Sequence, residues 1–235
     1  MACPGTVAAL TTGLVLAAFD PVVIGTDAPF PSYTYVDAAG TITGFERDVM
    51  DEVCARAVLD CTWRQANFDQ LIPGVMTGEF DVVLGGMAVT EERRRLVDFT
   101  ISYHGTDPEE WYIGRPGAPE PSAALVAVQS GTVHEAHLRA LGYRHLSFST
   151  EPQVLAALTT GQADLALGPF QTRGDIAAMM QAQGLRFLYA DVIPDEGVGM
   201  AVCKGNTALL HKLDAALAAM LADGTLQGFE TRWFR

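Results

Sequence analysis

The chain has 235 residues, with 28 Asp and Glu against 15 Lys and Arg, so its formal net charge at neutral pH is −13. An apolar share of 49% and a charged share of 18% are typical of a compact globular protein rather than a disordered one. We expect no nucleic-acid partner, because the basic residues include just two lysines, Lys204 and Lys212, and one cluster, Arg93-Arg94-Arg95. No stretch reaches the roughly 20 apolar residues that span a bilayer.

The N-terminus and the cysteines bear on the compartment. Residues 7–18 are apolar, and they are interpreted either as a segment of the mature chain packed on the core or as a signal remnant. Cys54 ends a helical stretch and Cys61 begins an extended one, so a disulfide could join them; their spacing fits no common zinc site. Such a pair is typical of an oxidising compartment. Cys3 could pair with Cys203, be free or carry a lipid.

In chain order, the first half alternates short β-rich runs with amphipathic stretches. Strands are predicted at 21–27, 61–66 and 80–86, a hairpin at 33–44, and helices at 45–57, 68–78 and 90–97. A Pro- and Gly-rich connector follows at 114–122. The second half has predicted strands at 124–129, 145–149, 163–168 and 185–192, and helices at 131–142, 151–161 and 173–184. After a second connector at 193–199 come a strand at 200–205, a helix around Leu210–Met220 and a last helix at 225–234.

Alternating strands and helices predict an α/β fold with parallel strands. Two connectors indicate a chain that leaves one Rossmann-like lobe, builds a second and returns. The predicted division is 1–116 for the first part of lobe 1, 117–194 for lobe 2 and 195–235 for the return to lobe 1. Two crossings would form a hinge, with a ligand cleft between the lobes outside the carboxyl ends of the strands.

Motifs of common enzymes are missing from the sequence. It contains no GxSxG elbow, no GxxxxGK[ST] phosphate loop and no GxGxxG fingerprint. The run H-E-A-H at 134–137 is one residue short of the spacing that places two zinc ligands on one helix face, so we interpret it as a solvated face. The adjacent pairs Glu91-Glu92 and Glu109-Glu110 are interpreted as surface charge. We therefore predict no catalytic residue, no metal and no cofactor.

The run GGMAVTEERRRLVD at 85–98 is the most informative segment. Thr90 suits the N-cap of a short helix, which places Arg93 in the first turn beside free backbone N–H groups. A guanidinium in that position can bind both oxygens of a carboxylate. The alternative is that the arginines form a solvated helix face.

This segment, with IGTDAPFPSY, GTITGFERDVMDEVC, VAVQSGT and LTTGQADLAL, resembles the amino-acid-binding branch of the periplasmic solute-binding proteins that serve ABC transporters. The resemblance runs from about Val22 to the C-terminus. It implies a type II periplasmic binding fold, a periplasmic location, a monomer and a membrane permease as partner. The Cys54–Cys61 spacing also resembles a disulfide found in some members.

In the first lobe, the resemblance implies six site residues. Phe30 and Phe68 match the two aromatic or apolar side chains that sandwich the ligand; the alternative is that both belong to the core, as aromatic residues beside Pro and Leu usually do. Arg93 matches the arginine that binds the α-carboxylate. The backbone at Gly86 and Ala88 matches groups that meet the ammonium and the carboxylate. Asp27, which matches an acid near the pocket, is expected to hold a polar end of the ligand.

In the second lobe, Thr132 and Val133 are expected to open a helix whose N–H groups complete the carboxylate site. Three positions depart from the family pattern: Ala88 and Val133 lack hydroxyl groups, and Pro169 stands where an Asp usually meets the ligand ammonium. A buried ammonium without a carboxylate partner is costly, by about 3–5 kcal/mol.

We therefore predict that Arg93 binds a carboxylate whose carrier is not an ordinary free α-amino acid. The ligand would lack the amine, carry it substituted or place it near Asp27, and Phe170, Gln171 or Arg173 could line the altered wall. Two alternatives remain: a dehydratase-like enzyme acting on a cyclic carboxylic acid, and a sensor domain cut from a larger receptor.

Overall fold

The structure is a computed structural model and describes residues 21–171 and 173–234. The first half of the described chain forms β1 (Val22–Thr26), β2 (Tyr35–Val36), β3 (Ile42–Thr43), α1 (Phe45–Ala57), β4 (Cys61–Gln65), α2 (Phe68–Thr77), β5 (Val82–Leu84), α3 (Glu91–Arg94), β6 (Val97–Phe99) and β7 (Glu109–Gly114). The second half forms β8 (Val126–Gln129), α4 (Val133–Leu141), β9 (His145–Phe148), α5 (Glu151–Thr159), β10 (Leu165–Gly168), α6 (Gly174–Gln183), β11 (Arg186–Val192), β12 (Ala201–Cys203), α7 (Thr207–Asp223) and α8 (Thr225–Phe234).

Two five-stranded sheets organise these elements. The first has the strand order β4-β1-β5-β12-β6, and the second has the order β11-β7-β10-β8-β9. Strand β1 is parallel to β4 and β5, whereas β12 returns antiparallel to β5 and β6. In the second sheet, β8 is parallel to β9 and β10, and β7 is antiparallel to its neighbours. The predicted α/β architecture of two lobes is confirmed.

Helices cover both faces of each sheet, as parallel strands require. Phe45, Val49 and Val53 of α1 pack with Leu213 and Leu217 of α7 on one face of the first sheet. Helix α2 packs against the opposite face in a separate apolar cluster. Helices α5 and α6 share one cluster on the second sheet, and α4 contributes to another. Each sheet is thus held from two sides, which fixes where its strand ends point.

Strand β7 was not predicted. Its residues Glu109–Gly114 pair with β10 and β11 of the second sheet, although the predicted first lobe runs to residue 116. Two glutamates at its start look like surface charge, yet the strand becomes fully buried toward Ile113. Pairing of β7 places the first crossing between the sheets ahead of Glu109, and the division at 116 and 194 stays a prediction.

Local features agree with the sequence in two further places. A disulfide joins Cys54 of α1 to Cys61 of β4, as predicted. In the hairpin turn, the Asp37 carboxylate accepts hydrogen bonds from the backbone N–H of Ala39 and Thr41, at 2.8 and 2.9 Å.

The predictions for residues 7–18 and Cys3 fall outside the described residues. Of the described helices, none combines the length and the apolar composition needed to cross a membrane.

Candidate functional site

The nine predicted ligand-binding residues all follow the carboxyl ends of strands. Because β1, β4 and β5 are parallel, the residues after them meet at one edge of the first sheet. The same holds for β8 and β10 in the second sheet. The nine are Asp27 and Phe30 after β1, Phe68 after β4, Gly86, Ala88 and Arg93 after β5, Thr132 and Val133 after β8, and Pro169 after β10.

These nine residues line one cavity between the two lobes. Its volume is about 60 Å³, and Gly85, Gln129, His134 and Glu151 complete its lining. We call this space the first cavity. A ligand pocket at the carboxyl edges of two α/β lobes agrees with where such folds hold small molecules.

Arg93 brings a buried positive charge to the first cavity. Its side chain is 7% exposed, and its guanidinium donates to the carbonyl oxygens of Ala88 and Gly131 at 2.7 and 2.9 Å. The guanidinium also lies over the ring of Phe68, 5.3 Å from its centroid. Among the residues that the structure describes, no carboxylate forms an ion pair with it. Burial lowers the pKa of Arg93 to about 10, so the group stays charged at neutral pH.

The N-terminus of α4 lies beside Arg93. Thr132 is the N-cap: its hydroxyl oxygen accepts from the backbone N–H of Glu135 at 3.2 Å, and its O–H donates to the carbonyl of Gln129 at 2.8 Å. Val133 is the first residue of the helix. The first N–H groups of a helix carry partial positive charge, so together with Arg93 they form a place for an anion.

The aromatic walls depend on Gly86. Its φ of +61° suits glycine, and a Cβ there would lie 2.5 Å from the ring of Phe30. The absence of a side chain lets the Phe30 ring lie against the backbone of this loop. Phe30 also stacks on Tyr33, with ring centroids 4.8 Å apart. The two predicted aromatic residues, Phe30 and Phe68, therefore both border the first cavity.

Glu46 supports the loop at Gly85 and Gly86 by hydrogen bonds, and the sequence did not indicate this role. Its carboxylate is fully buried and accepts from the N–H groups of Gly85 and Gly86, at 3.3 and 2.7 Å, and from the hydroxyl of Tyr103 at 2.5 Å. Burial raises the pKa of Glu46, against these hydrogen bonds, which lower it. Because the N–H of Gly86 is engaged by Glu46, the group it can offer a ligand is its carbonyl.

Asp27 and Gln129 link the two lobes. The amide Nε2 of Gln129, at the end of β8, donates to the carboxylate of Asp27 at 2.7 Å and to the carbonyl of Ser149 at 3.3 Å. Asp27 is 6% exposed. Burial raises the pKa of Asp27 to about 6, while the bond from Gln129 lowers it. Gln129 was not predicted, although its place at a strand end signals it.

A second acid, Glu151, also lines the first cavity and was not predicted. It begins α5, and both its oxygens accept from Nη1 of Arg173, at 2.7 and 2.8 Å. Burial raises the pKa of Glu151, against Arg173, which lowers it. The Arg173 guanidinium also pairs with Asp175 at 2.6 Å and lies 5.4 Å from the ring centroid of Phe30. Two carboxylates of the protein itself, those of Glu151 and Asp175, thus neutralise the Arg173 guanidinium.

Pro169 borders the first cavity and offers it neither a carboxylate nor a backbone N–H. Of the three residues expected to line the altered wall, Phe170 packs in the core of the second sheet. Gln171 and Arg173 instead line a separate cavity, which Pro169 also borders.

The histidines of 134–137 do not form a solvated face throughout. His134 is 6% exposed and its Nε2 lies 3.4 Å from Oε2 of Glu110, whereas His137 pairs with Asp191 at 2.9 Å. The two rings thus have different partners. Glu110 is also more buried than the predicted surface charge, with 13% of its side chain exposed. Within residues 21–171 and 173–234, no group of three His, Cys, Asp or Glu is placed to hold a metal ion.

Comparison with known proteins identifies relatives of this architecture. The L-arginine-binding protein of Pseudomonas aeruginosa is 28% identical over 233 residues, covering 93% of this chain and 89% of that protein. The lysine/arginine/ornithine-binding periplasmic protein of Escherichia coli is 26% identical over 235 residues, covering 92% and 88%. The crystal structure of a periplasmic His/Glu/Gln/Arg/opine family-binding protein from Silicibacter pomeroyi, in complex with lysine, is 33% identical and covers 91% of this chain and 96% of that one, with a TM-score of 0.83.

These relatives confirm the resemblance to the amino-acid-binding branch and the type II periplasmic binding fold. The family model of the bacterial extracellular solute-binding proteins, family 3, matches residues 22–235, nearly the whole chain. This protein therefore belongs to the bacterial extracellular solute-binding proteins, family 3.

Proposed function

We propose that this protein is the extracytoplasmic receptor of an ABC importer and closes its lobes on a small, amino-acid-like carboxylate held by Arg93 between Phe30 and Phe68. The buried guanidinium of Arg93 carries this proposal, because its hydrogen bonds go to carbonyl oxygens and no carboxylate of the described residues forms an ion pair with it. A buried charge is expensive unless a counter-charge neutralises it. A carboxylate between Arg93 and the N-terminus of α4 would supply that counter-charge.

Lobe closure follows from where the anchoring groups lie. Arg93 comes from the first lobe, and Thr132 and Val133 come from the second. A carboxylate that binds groups of both lobes favours the closed form, because it can contact both lobes at once in that form and only one of them in the open form. The bond from Arg93 to the carbonyl of Gly131 also joins the two lobes.

This chain departs from the family pattern at the position that would bind the ligand's amine. Pro169 provides no carboxylate at the wall where the family pattern places one, and Glu151 is already engaged by Arg173. Asp27 remains, with Gln129 as its partner. We therefore propose a ligand whose amine is missing, substituted or held near Asp27, in place of an ordinary free α-amino acid. The relatives named for arginine and lysine make cationic amino acids the natural comparison set.

A thermal-shift screen tests the ligand class. One set contains free α-amino acids, including arginine, lysine and histidine, and the matched set contains the same skeletons with the amine removed or alkylated. A ligand at about 1,000 times its dissociation constant stabilises by roughly 4 kcal/mol, or on the order of 10 °C at this size. Hits confined to the matched set support the proposal. Strong hits among the free α-amino acids would contradict it and indicate an ordinary amino-acid receptor.

Substitution of Arg93 tests the anchor. Arg93→Met keeps much of the side-chain volume but removes the charge, and binding measured by calorimetry should weaken about 100-fold or more. Arg94→Met is the matched control, because Arg94 neighbours it on α3 and its guanidinium pairs with the exposed Glu196 at 2.7 Å. Equal affinities of both variants and the wild type would refute Arg93 as the anchor.

We also propose that the protein binds without turnover, acts as a monomer and delivers its ligand to a membrane permease outside the cytoplasm. The Cys54–Cys61 disulfide supports an oxidising compartment. A dehydratase would need a general acid facing the ligand, and Pro169 occupies the second-lobe position at which we would look for it. Formation of a dehydrated product from a cyclic carboxylic acid would instead establish the enzymatic alternative.

A further inference from the structure

A second cavity lies directly behind the wall of the first. Its volume is about 120 Å³, and it shares two lining residues with the first cavity, Phe30 and Pro169. Those two side chains therefore form the partition between the spaces. The second cavity also lies between the lobes, since Tyr33 and His104 line it from the first and Gln171 from the second.

Gln171 has an unused hydrogen-bond acceptor at this cavity. Its Nε2 donates to the carbonyl of Glu109 at 2.7 Å and lies 3.4 Å from the carboxylate of Glu110. Both neighbours are acceptors, so the amide nitrogen must face them and the oxygen must face away. That oxygen, Oε1, is buried and has no hydrogen-bond partner among the described residues. An unpaired buried acceptor is costly, and a donor that enters beside Gln171 would satisfy it after a small shift of the amide.

The charges around the second cavity also favour a donor. Glu110 and Asp107 line it with carboxylates. Among the described residues that line it, the one guanidinium is that of Arg173, which Glu151 and Asp175 neutralise at 2.7 and 2.6 Å. The cavity is therefore rich in acceptors and has a negative balance, which suits a group that donates hydrogen bonds.

We propose that the second cavity is a subsite for a substituent on the ligand's amine, and that this substituent ends in a hydrogen-bond donor such as an amino or hydroxyl group. The inference rests on the proposed function, which places the carboxylate at Arg93 and replaces the usual ammonium acceptor by Pro169. Proline at the partition binds no ammonium and donates no N–H, so a secondary amine there can carry a chain past Phe30 into the second cavity. Closure of the lobes would then enclose both ends of the ligand.

Matched N-substituted glycines test the subsite by calorimetry. N-(2-Aminoethyl)glycine and N-(2-hydroxyethyl)glycine end in donors, and N-propylglycine is their apolar counterpart of equal length. The wild type should bind the two donor-terminated compounds about 10-fold more tightly than N-propylglycine. Gln171→Leu should remove this preference for the two donor-terminated compounds. Gln181→Leu, at an exposed position of α6, is the control variant.

The outcomes separate the subsite from the proposed function. Equal binding of the three compounds to the wild type overturns the subsite, as does an equal loss for all three in Gln171→Leu. If other carboxylates bind in an Arg93-dependent manner but none of these compounds does, the subsite fails alone. If no carboxylate binds the wild type at all, the proposed function fails and the subsite with it.

Discussion

Asp27 is a buried carboxyl group between the lobes, and replacing it with asparagine should change how stability depends on pH. Its pKa rises from 3.8 to about 6 in the closed protein because burial disfavours the charged form. At about 1.4 kcal/mol per pKa unit, this shift is worth about 3 kcal/mol. The folded protein binds the proton more tightly than the unfolded chain. The stabilisation is therefore complete at pH values below 3.8 and is lost as the pH rises to about 6.

Urea unfolding of the wild type and Asp27→Asn across this pH range measures the effect. Asparagine can still accept the hydrogen bond from Gln129 but cannot ionise, so the variant should gain about 3 kcal/mol relative to the wild type between about pH 4 and pH 7. Asp60→Asn, at an exposed position, controls for the loss of a carboxylate. A difference between Asp27→Asn and wild type that does not change with pH would show that Asp27 is solvated. The closed arrangement of Asp27 and Gln129 would then be wrong for the free protein.

Three further predictions concern the frame of the site. Glu46→Leu should lower the free energy of unfolding by about 3 kcal/mol or more, because the buried N–H groups of Gly85 and Gly86 would lose their acceptor. Chemical denaturation checks this, and a decrease below about 1 kcal/mol would contradict it. Gly86→Ala should weaken ligand binding about 10-fold by displacing Phe30, whereas Gly117→Ala, with a similar positive φ and open space around its Cβ, should leave titrated affinity unchanged. Reduction of the disulfide between α1 and β4 should cost about 2–3 kcal/mol, seen as a Tm lowered by about 5–10 °C; an unchanged Tm would contradict it.

The sequence was most informative where strand periodicity and turn chemistry act together. The family resemblance implied Asp27, Gly86 and Thr132 as site residues, and the convergence of residues that follow parallel strands explains why they meet at one cleft. The same rule would have found Gln129 at the end of β8. It was missed because an amide is not a charged anchor and draws no notice by its chemistry alone.

Other features could not be read from the sequence because they depend on tertiary packing. Glu46 lies in the first turn of α1, where an acid is normally a solvated partner of the helix dipole. Its burial follows from the loop that folds over it. Likewise, Glu109 and Glu110 make the start of β7 resemble an exposed, charged segment. Nothing in the local sequence shows that Glu110 will lie beside His134. The second cavity exists because two distant segments meet at Phe30 and Pro169.

A crystal structure of the protein with the best carboxylate from the screen tests the central claim most directly. The account predicts that both carboxylate oxygens lie about 3 Å from the guanidinium of Arg93, with the first N–H groups of α4 completing the site. It also predicts that Arg93 exchanges its bond to the Gly131 carbonyl for the ligand. A carboxylate bound elsewhere, with Arg93 still donating to the carbonyls of Ala88 and Gly131, would contradict it.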